Sequence, residues 1–175
     1  AQNILLVISS IFRLDLYVAA YSLTYLRLAA FIWMGLVAAG LVLMLIQIKL
    51  KKPNSWLIAA NAVSLALVLY ACCFVNAPRL IASYNVEHSR ENGGTGPQLD
   101  LRYLASLGPQ ALPPVEAAVN KIPILWPIAR DTRHNHEIRR LTANWRAFGF
   151  RTWRLERYLA NNPYTPAEPL DGGKG

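Results

Sequence analysis

Acidic residues are nearly missing from the first 76 positions of this chain, where Asp15 stands alone against five bases (Arg13, Arg27, Lys49, Lys51 and Lys52). The other nine acids and thirteen bases lie in the remainder of the 175 residues. So uneven a split argues against one globular domain and for a membrane half followed by a water-facing half. Cysteine is scarce too: Cys72 and Cys73 are the only two, and they are neighbours. Adjacent cysteines make a poor disulfide, and without a CxxC or Cys/His grouping no zinc site is expected. Both read as small apolar packing residues in a helix. Also missing are a glycine-rich phosphate loop, a GxSxG elbow and a paired-carboxylate site, and Ser83 and Ser106 have no base fixed beside them. The expectation is a non-enzyme without catalytic residues, cofactor or metal. The chain lacks the charged start and cleavage site of a signal peptide. Ile4–Ile11 (ILLVISSI) is apolar but too short to span. It is expected to be the tail of a spanning helix that begins upstream.

What is present is apolar sequence in two unbroken blocks. Leu28–Ile48 gives 21 residues without a charge and Trp56–Phe74 gives 19. At 1.5 Å per residue each covers roughly the 30 Å hydrocarbon core of a bilayer. Helices, which close their backbone hydrogen bonds internally, are the expected spanning form. The joining stretch KLKKPNS contains Pro53 and ends at Ser55, a candidate N-cap, so the two spans form an antiparallel hairpin. Its three lysines favour the cytoplasmic side. Neither span holds an ionisable group at depth, which counts against an ion-coupled transporter built from this chain alone. Asn61 and Ser64, three apart, are expected to hydrogen-bond across to a partner helix. Ahead of the hairpin, Phe12–Arg27 carries Tyr17, Tyr21 and Tyr25 at a spacing of four. That stripe suits the lipid–water interface, or equally simple helix packing.

Beyond Phe74 the pattern becomes mixed. Asn76-Ala-Pro78 reads as a helix break, and Arg79–Arg90 as a short amphipathic helix. Residues 91–97 read as a flexible loop. Asp100 should cap a short helix over Leu101–Leu107 that stops at Gly108, and Pro109 should start another. Pro123 and Pro127 argue against a regular helix over 122–128. A long helix is expected from Thr132 to Asn161, with Ile138, Leu141, Trp145, Phe148, Thr152, Leu155 and Leu159 as its apolar stripe. His134, His136, Glu137 and Asp131 make a weak metal set, because positions two apart on a helix diverge, and read better as a solvated helix start. Arg139, Arg140, Trp145, Arg146, Arg151, Trp153, Arg154 and Arg157 form the candidate surface for anionic lipid headgroups or a protein partner. Nucleic acid is the least favoured partner for a membrane-tethered chain. A solvated helix over a small core is the plain alternative. The tail from 162 to 175, rich in proline and glycine, is expected to be disordered.

Four segments carry a resemblance. Leu16–Arg27 (LYVAAYSLTYLR) resembles the L-Y-x-x-A-Y-G-L-T-x-L-R element of the DUF4153/DUF4173 bacterial membrane proteins. Ile81–Asn85 (IASYN) is similar to their I-A-x-Y-N. Asp100–Pro113 (DLRYLASLGPQALP) resembles their D-x-x-Y-L-x-x-L-S-x-D-A-x-P, and Asn144–Arg154 (NWRAFGFRTWR) is like their W-R-S-x-N-L-S-R-x-R ending. The chain departs at Ser22, where the family usually has Gly, at Gln110, where Asp is usual, and at Gly149 and Phe150. The resemblance implies the last two spans of a larger helical architecture in a bacterial inner membrane and brings no catalytic residue; with the lysine turn cytoplasmic, the C-terminal domain is expected on the periplasmic side.

The fold expected is therefore all-α. Residues 1–27 hold the end of an upstream span and an interfacial helix, 28–76 the transmembrane hairpin, and 77–161 a small helical extramembrane domain. The function expected is that of a non-catalytic accessory or scaffold subunit packed against other membrane protein subunits. A membrane-bound sensor or regulator, or the remnant of a multi-span transporter, are the alternatives.

Overall fold

The two charge-free blocks form the two longest apolar helices of the computed structural model, which describes residues 2–142 and 149–163. Helix α2 is Tyr25–Leu50 and α3 is Asn54–Phe74, with 26 and 21 residues. At 1.5 Å per residue they extend roughly 39 and 32 Å, enough to cross the hydrocarbon core. Neither contains a buried residue. Trp33, Ile58, Leu67 and Tyr70 are 62–70% exposed, so the apolar surface that a water-soluble protein hides is turned outward. The turn between them is tight. Lys51 takes a left-handed conformation (φ 50°), and the Lys51 and Lys52 amides donate back to the last turn of α2. Pro53 occupies the N-cap of α3, so the helix starts at Asn54, ahead of the expected cap Ser55. Gln47 Nε2 donates to Asn54 Oδ1 at 2.7 Å and closes the hairpin.

Helix α1 runs uninterrupted over Gln2–Tyr21 and lies along α2. The apolar start and the expected interfacial segment are thus one helix. Tyr17 and Tyr21 stack on it, ring centroids 6.1 Å apart. Tyr25 stands beyond a break and begins α2 instead, so the tyrosine stripe holds two members rather than three.

After the hairpin the described residues form five further α-helices: α4 (Ala77–His88), α5 (Leu101–Ser106), α6 (Leu112–Ala118), α7 (Trp126–Thr142) and α8 (Phe150–Asn161). No strand occurs among the described residues. Local chemistry sets their starts. The helix breaks at Val75–Asn76 as expected, and Asn76 caps α4 by accepting from the Arg79 amide at 3.3 Å, with Pro78 in the first turn where its missing N–H costs nothing. Asp100 Oδ1 accepts from the Tyr103 amide at 2.8 Å and caps α5 as expected. Pro109 opens a short 3₁₀ turn leading into α6. Pro123 does the same ahead of α7, where Pro127 is again a first-turn proline. The two prolines that argued against a helix therefore begin one.

The loop after α4 folds back on the end of that helix. The Gly94 and Gly96 amides donate to the Ser89 and His88 carbonyls at 2.9 and 3.0 Å. A Cβ at either glycine would fall within 2.5 Å of the His88 carbonyl oxygen, so only glycine permits this approach. The core lies in this second half. Ile81, Leu112 and Leu125 are fully buried, surrounded by Val86, Leu104, Val115, Ile122 and Leu155. Two residues from the first half, Val18 and Leu23, complete it.

The long helix expected over 132–161 is two helices, α7 and α8. On α7 the apolar phase is rotated from the expected one. Ile138 is 47% exposed, and the buried positions are Ala129, Arg133 and His136. His136 is thus part of the interior, not of a solvated helix start. On α8 the stripe falls as expected, with Leu155 buried and Thr152 and Leu159 half-buried. The Leu141 side chain, Trp145 and Phe148 lie outside what the structure describes, as does the tail from 164 onward.

Candidate functional site

Three of the four segments that carried the resemblance meet where the spans end. The break between α1 and α2 is made by Ser22, whose φ of 69° lies in the left-handed region. Glycine occupies this region without strain, which gives a physical reason for the glycine of the family pattern. Arg27 stabilises the break from the other side. Its guanidinium donates to the Tyr21 carbonyl at 2.7 Å and to the Ser22 carbonyl, satisfying the last turn of α1, and it lies over the Tyr21 ring. Between them Leu23 is clamped by a buried amide. Asn85 Oδ1 accepts from the Leu23 N–H at 2.7 Å, and Asn85 Nδ2 donates to the Leu23 carbonyl at 2.9 Å. The Tyr103 hydroxyl accepts from the Tyr25 amide at 3.0 Å. Backbone groups freed by the break would be costly in an apolar setting, and side chains from two later helices satisfy them.

The last turn of α3 is treated the same way. Arg151 Nη2 on α8 donates to the carbonyls of Cys72 and Cys73 at 3.4 and 3.1 Å. A cation at a helix C-terminus also meets the negative end of the helix dipole. Asn76 and Gln110 hydrogen-bond at 2.9 Å beside it, and Gln110 reaches the Arg151 carbonyl at 3.3 Å. The extramembrane half is thereby fastened to the ends of all three preceding helices.

Behind this collar a groove of about 700 Å³ opens between α4, α6, α7 and α8. Arg79, Glu116, Arg133 and Tyr158 supply its charged and polar wall, and Trp126 and Pro114 part of its apolar wall. Arg133 Nη1 meets Glu116 Oε1 at 2.8 Å, with both side chains mostly withdrawn from solvent. Arg133 also donates to the Leu159 and Asn162 carbonyls and so caps α8. Burial raises the Glu116 carboxyl above its ordinary value, and the Arg133 charge and the Tyr158 hydrogen bond pull it back. Burial and the neighbouring Glu116 push the Tyr158 phenol up to about 12, so it stays a neutral donor to the carboxylate. On the next turn of α7, burial lowers the His136 imidazole, opposed chiefly by Glu156 across on α8. Among the described residues its Nε2 has no hydrogen-bond partner. His134 is exposed.

The residues singled out from sequence separate on this frame. Arg139 and Arg140 are exposed in the last turn of α7, where cations favour a helix C-terminus. Trp145 and Arg146 lie outside the described residues. Arg151 is committed to the end of α3. Trp153, Arg154 and Arg157 are exposed on α8, with the Arg157 guanidinium 5.6 Å from the Trp153 ring centroid. Within the hairpin Asn61 and Ser64 bond to their own helix rather than to α2. Asn61 Nδ2 and Ser64 Oγ donate to the Leu57 and Ala60 carbonyls of their own helix, each at 2.9 Å. Asn61 instead marks the close approach of the spans, its Oδ1 lying 3.1 Å from where a Cβ on Gly40 would stand. Asn85, Arg133, Glu116 and Tyr158 were not singled out by sequence as a site. A buried amide inside an apolar helix face was the one available signal, at Asn85.

The helix pair and the collar at its end define a helical membrane protein whose extramembrane half is tied to its spans. The chain belongs to the DUF4153 family (Domain of unknown function), whose model matches residues 1–118. That match carries the DUF4153 part of the resemblance and gives no support to the DUF4173 part. It covers α1 to α6 and ends before α7 and the segment at 144–154. No curated protein and no solved structure matches the chain.

Proposed function

We propose that this chain is a non-catalytic accessory or scaffold subunit of a larger assembly in the bacterial inner membrane, its extramembrane half on the periplasmic side. The observation that carries the reading is the surface of α2 and α3. From Leu28 to Ile48 and from Trp56 to Phe74 there is no ionisable side chain, and neither helix has a buried residue. Such a hairpin offers lateral packing surface and no polar path. The polar groups at its end support the same reading: Asn85, Arg27 and Arg151 direct their hydrogen bonds to backbone, which suits a structural joint better than chemistry. The lysines at 49, 51 and 52 favour a cytoplasmic turn, opposite the extramembrane half. Native mass spectrometry after extraction in a mild detergent tests the proposal. A partner subunit in fixed stoichiometry is expected, whereas a stable isolated monomer contradicts it.

A second reading, a membrane-bound sensor, draws support from the groove lined by Arg79, Glu116, Arg133 and Tyr158. A small ligand there would bridge α6, α7 and α8 and reach α3 through Arg151. A ligand screen scored by hydrogen exchange at the last turn of α3 separates the two readings, since a scaffold predicts no response there.

A further inference from the structure

Helix α8 has two faces, and one is fully used. Arg151, Leu155, Tyr158, Leu159 and Asn162 turn inward, to the end of α3, the core, Glu116 and Arg133. The other side carries Phe150, Trp153 and Arg157, positions i, i+3 and i+7 of one helical stripe, with Arg154 at its edge beside a small recess lined by Gln110 and Tyr158. Phe150 is 59% and Trp153 42% exposed, and they stack at 5.8 Å instead of packing into the domain. Arg154 and Arg157 are exposed and form no salt bridge among the described residues.

Two features set where this face lies. Arg151, between Phe150 and Trp153, is fastened to the carbonyls of Cys72 and Cys73, the last turn of a helix long and apolar enough to span. The first turn of α8 is therefore held at the depth where α3 leaves the hydrocarbon. The face also changes along its length: aromatic at the end fixed to α3, cationic further on. From Phe150 to Arg157 is about 10 Å along the axis.

We infer that the outer face of α8 is a lipid-binding surface, with Phe150 and Trp153 at the boundary between headgroups and acyl chains and Arg154 and Arg157 on anionic phosphates. The inference rests on the membrane-spanning reading of α2 and α3, and it gives the exposed stacked pair an apolar environment. Aromatic rings favour this boundary, and each arginine near an anionic surface adds attraction that is screened by salt. Arg157 over the Trp153 ring lets the pair move as one unit toward the headgroups.

The test uses the full chain in nanodiscs made of zwitterionic lipid or of a mixture with phosphatidylglycerol. Lipids brominated high on the acyl chain serve as quenchers, and the Trp153 signal is the difference between the wild type and Trp153→Phe. At least a twofold quenching of that difference signal is expected, together with protection from iodide in the aqueous phase. Arg154→Gln with Arg157→Gln should leave helicity unchanged and lower the phosphatidylglycerol retained in native mass spectra at least threefold. A difference signal that bromine leaves untouched overturns the inference, whether iodide reaches Trp153 or a protein surface shields it. So does unchanged lipid retention in the double variant. Trp33, inside α2, is the control, read with deeper bromination against Trp33→Phe. If Trp33 is quenched and Trp153 is not, the interfacial helix alone fails. If neither is quenched, the spanning reading fails with it.

Discussion

The two halves of this molecule solve the same problem with different solvents. In α2 and α3 no residue is buried, and the large apolar side chains point outward. In α4–α8 the apolar side chains point inward, around Ile81, Leu112 and Leu125, and charged groups cover them. The first half uses lipid as its core, so its helices need only backbone closure and length. The second must build its own core, and it does so with short helices, first-turn prolines and a partly buried ion pair. Their seam teaches the most, because there the first half borrows from the second. Leu23 and Val18 enter the core, and Asn85, Tyr103 and Arg151 complete backbone groups of the spans.

The contrast can be broken hardest at Arg133. Arg133→Gln leaves Glu116 mostly buried without its cation and frees the end of α8, and breaking such a pair costs about 3–5 kcal/mol. The expected outcome is a C-terminal half that melts early by near-UV circular dichroism while far-UV signal from the spans persists. Concerted loss of both halves would mean that they are one cooperative unit. At the seam, Asn85→Ala strands the Leu23 N–H and carbonyl, with a cost of about 2–3 kcal/mol once water reaches them. Hydrogen exchange at the Leu23 amide should accelerate accordingly, and unchanged protection would show that the clamp is dispensable.

A third prediction concerns pH in the second half alone. The folded His136 imidazole lies below its ordinary 6.5, so the unfolded chain binds its proton first as pH falls. Stability from this group is full above 6.5 and declines below it toward the folded value. The slope cannot exceed that of one proton, about 1.4 kcal/mol per pH unit. Glu116, raised above 4.5, contributes the opposite slope just above that value. Comparing urea midpoints of wild type and His136→Gln at pH 7 and pH 5.5 isolates the histidine, and parallel behaviour would refute its role. The smallest effect is expected at the break itself. Ser22→Gly relieves a left-handed φ at some entropic cost, for a net gain of about 0.5 kcal/mol. A lowered melting temperature would show that the serine side chain contributes more than its strain removes.

The fold of the first half was legible because a bilayer asks for one thing, an apolar run of sufficient length, and Leu28–Ile48 and Trp56–Phe74 state it directly. Asp100 was legible because its partner lies three residues away. Where the reading failed, the interaction was distant or the buried residue was polar. Arg133 and His136 turn inward on α7, and a search for apolar periodicity passes over both. Arg151 reads as surface charge until α3, 78 residues earlier, is placed beside it. Pro123 and Pro127 misled because proline obstructs a helix interior and favours its first turn, and the sequence does not say which applies.

The Asn85 clamp has a consequence for how the chain is made. Leu23 and Asn85 are 62 residues apart, with both spans between them. At roughly 5–20 residues per second, synthesis takes some 3–12 seconds to deliver the amide after Leu23 emerges. Throughout that interval Arg27 can serve the Tyr21 and Ser22 carbonyls, but the Leu23 N–H and carbonyl still lack the amide that clamps them. The junction has to sit in water or against the insertion machinery until α4 arrives. The order of biogenesis is thus written into one side chain: the hairpin is threaded first, and its upstream joint is locked only from behind.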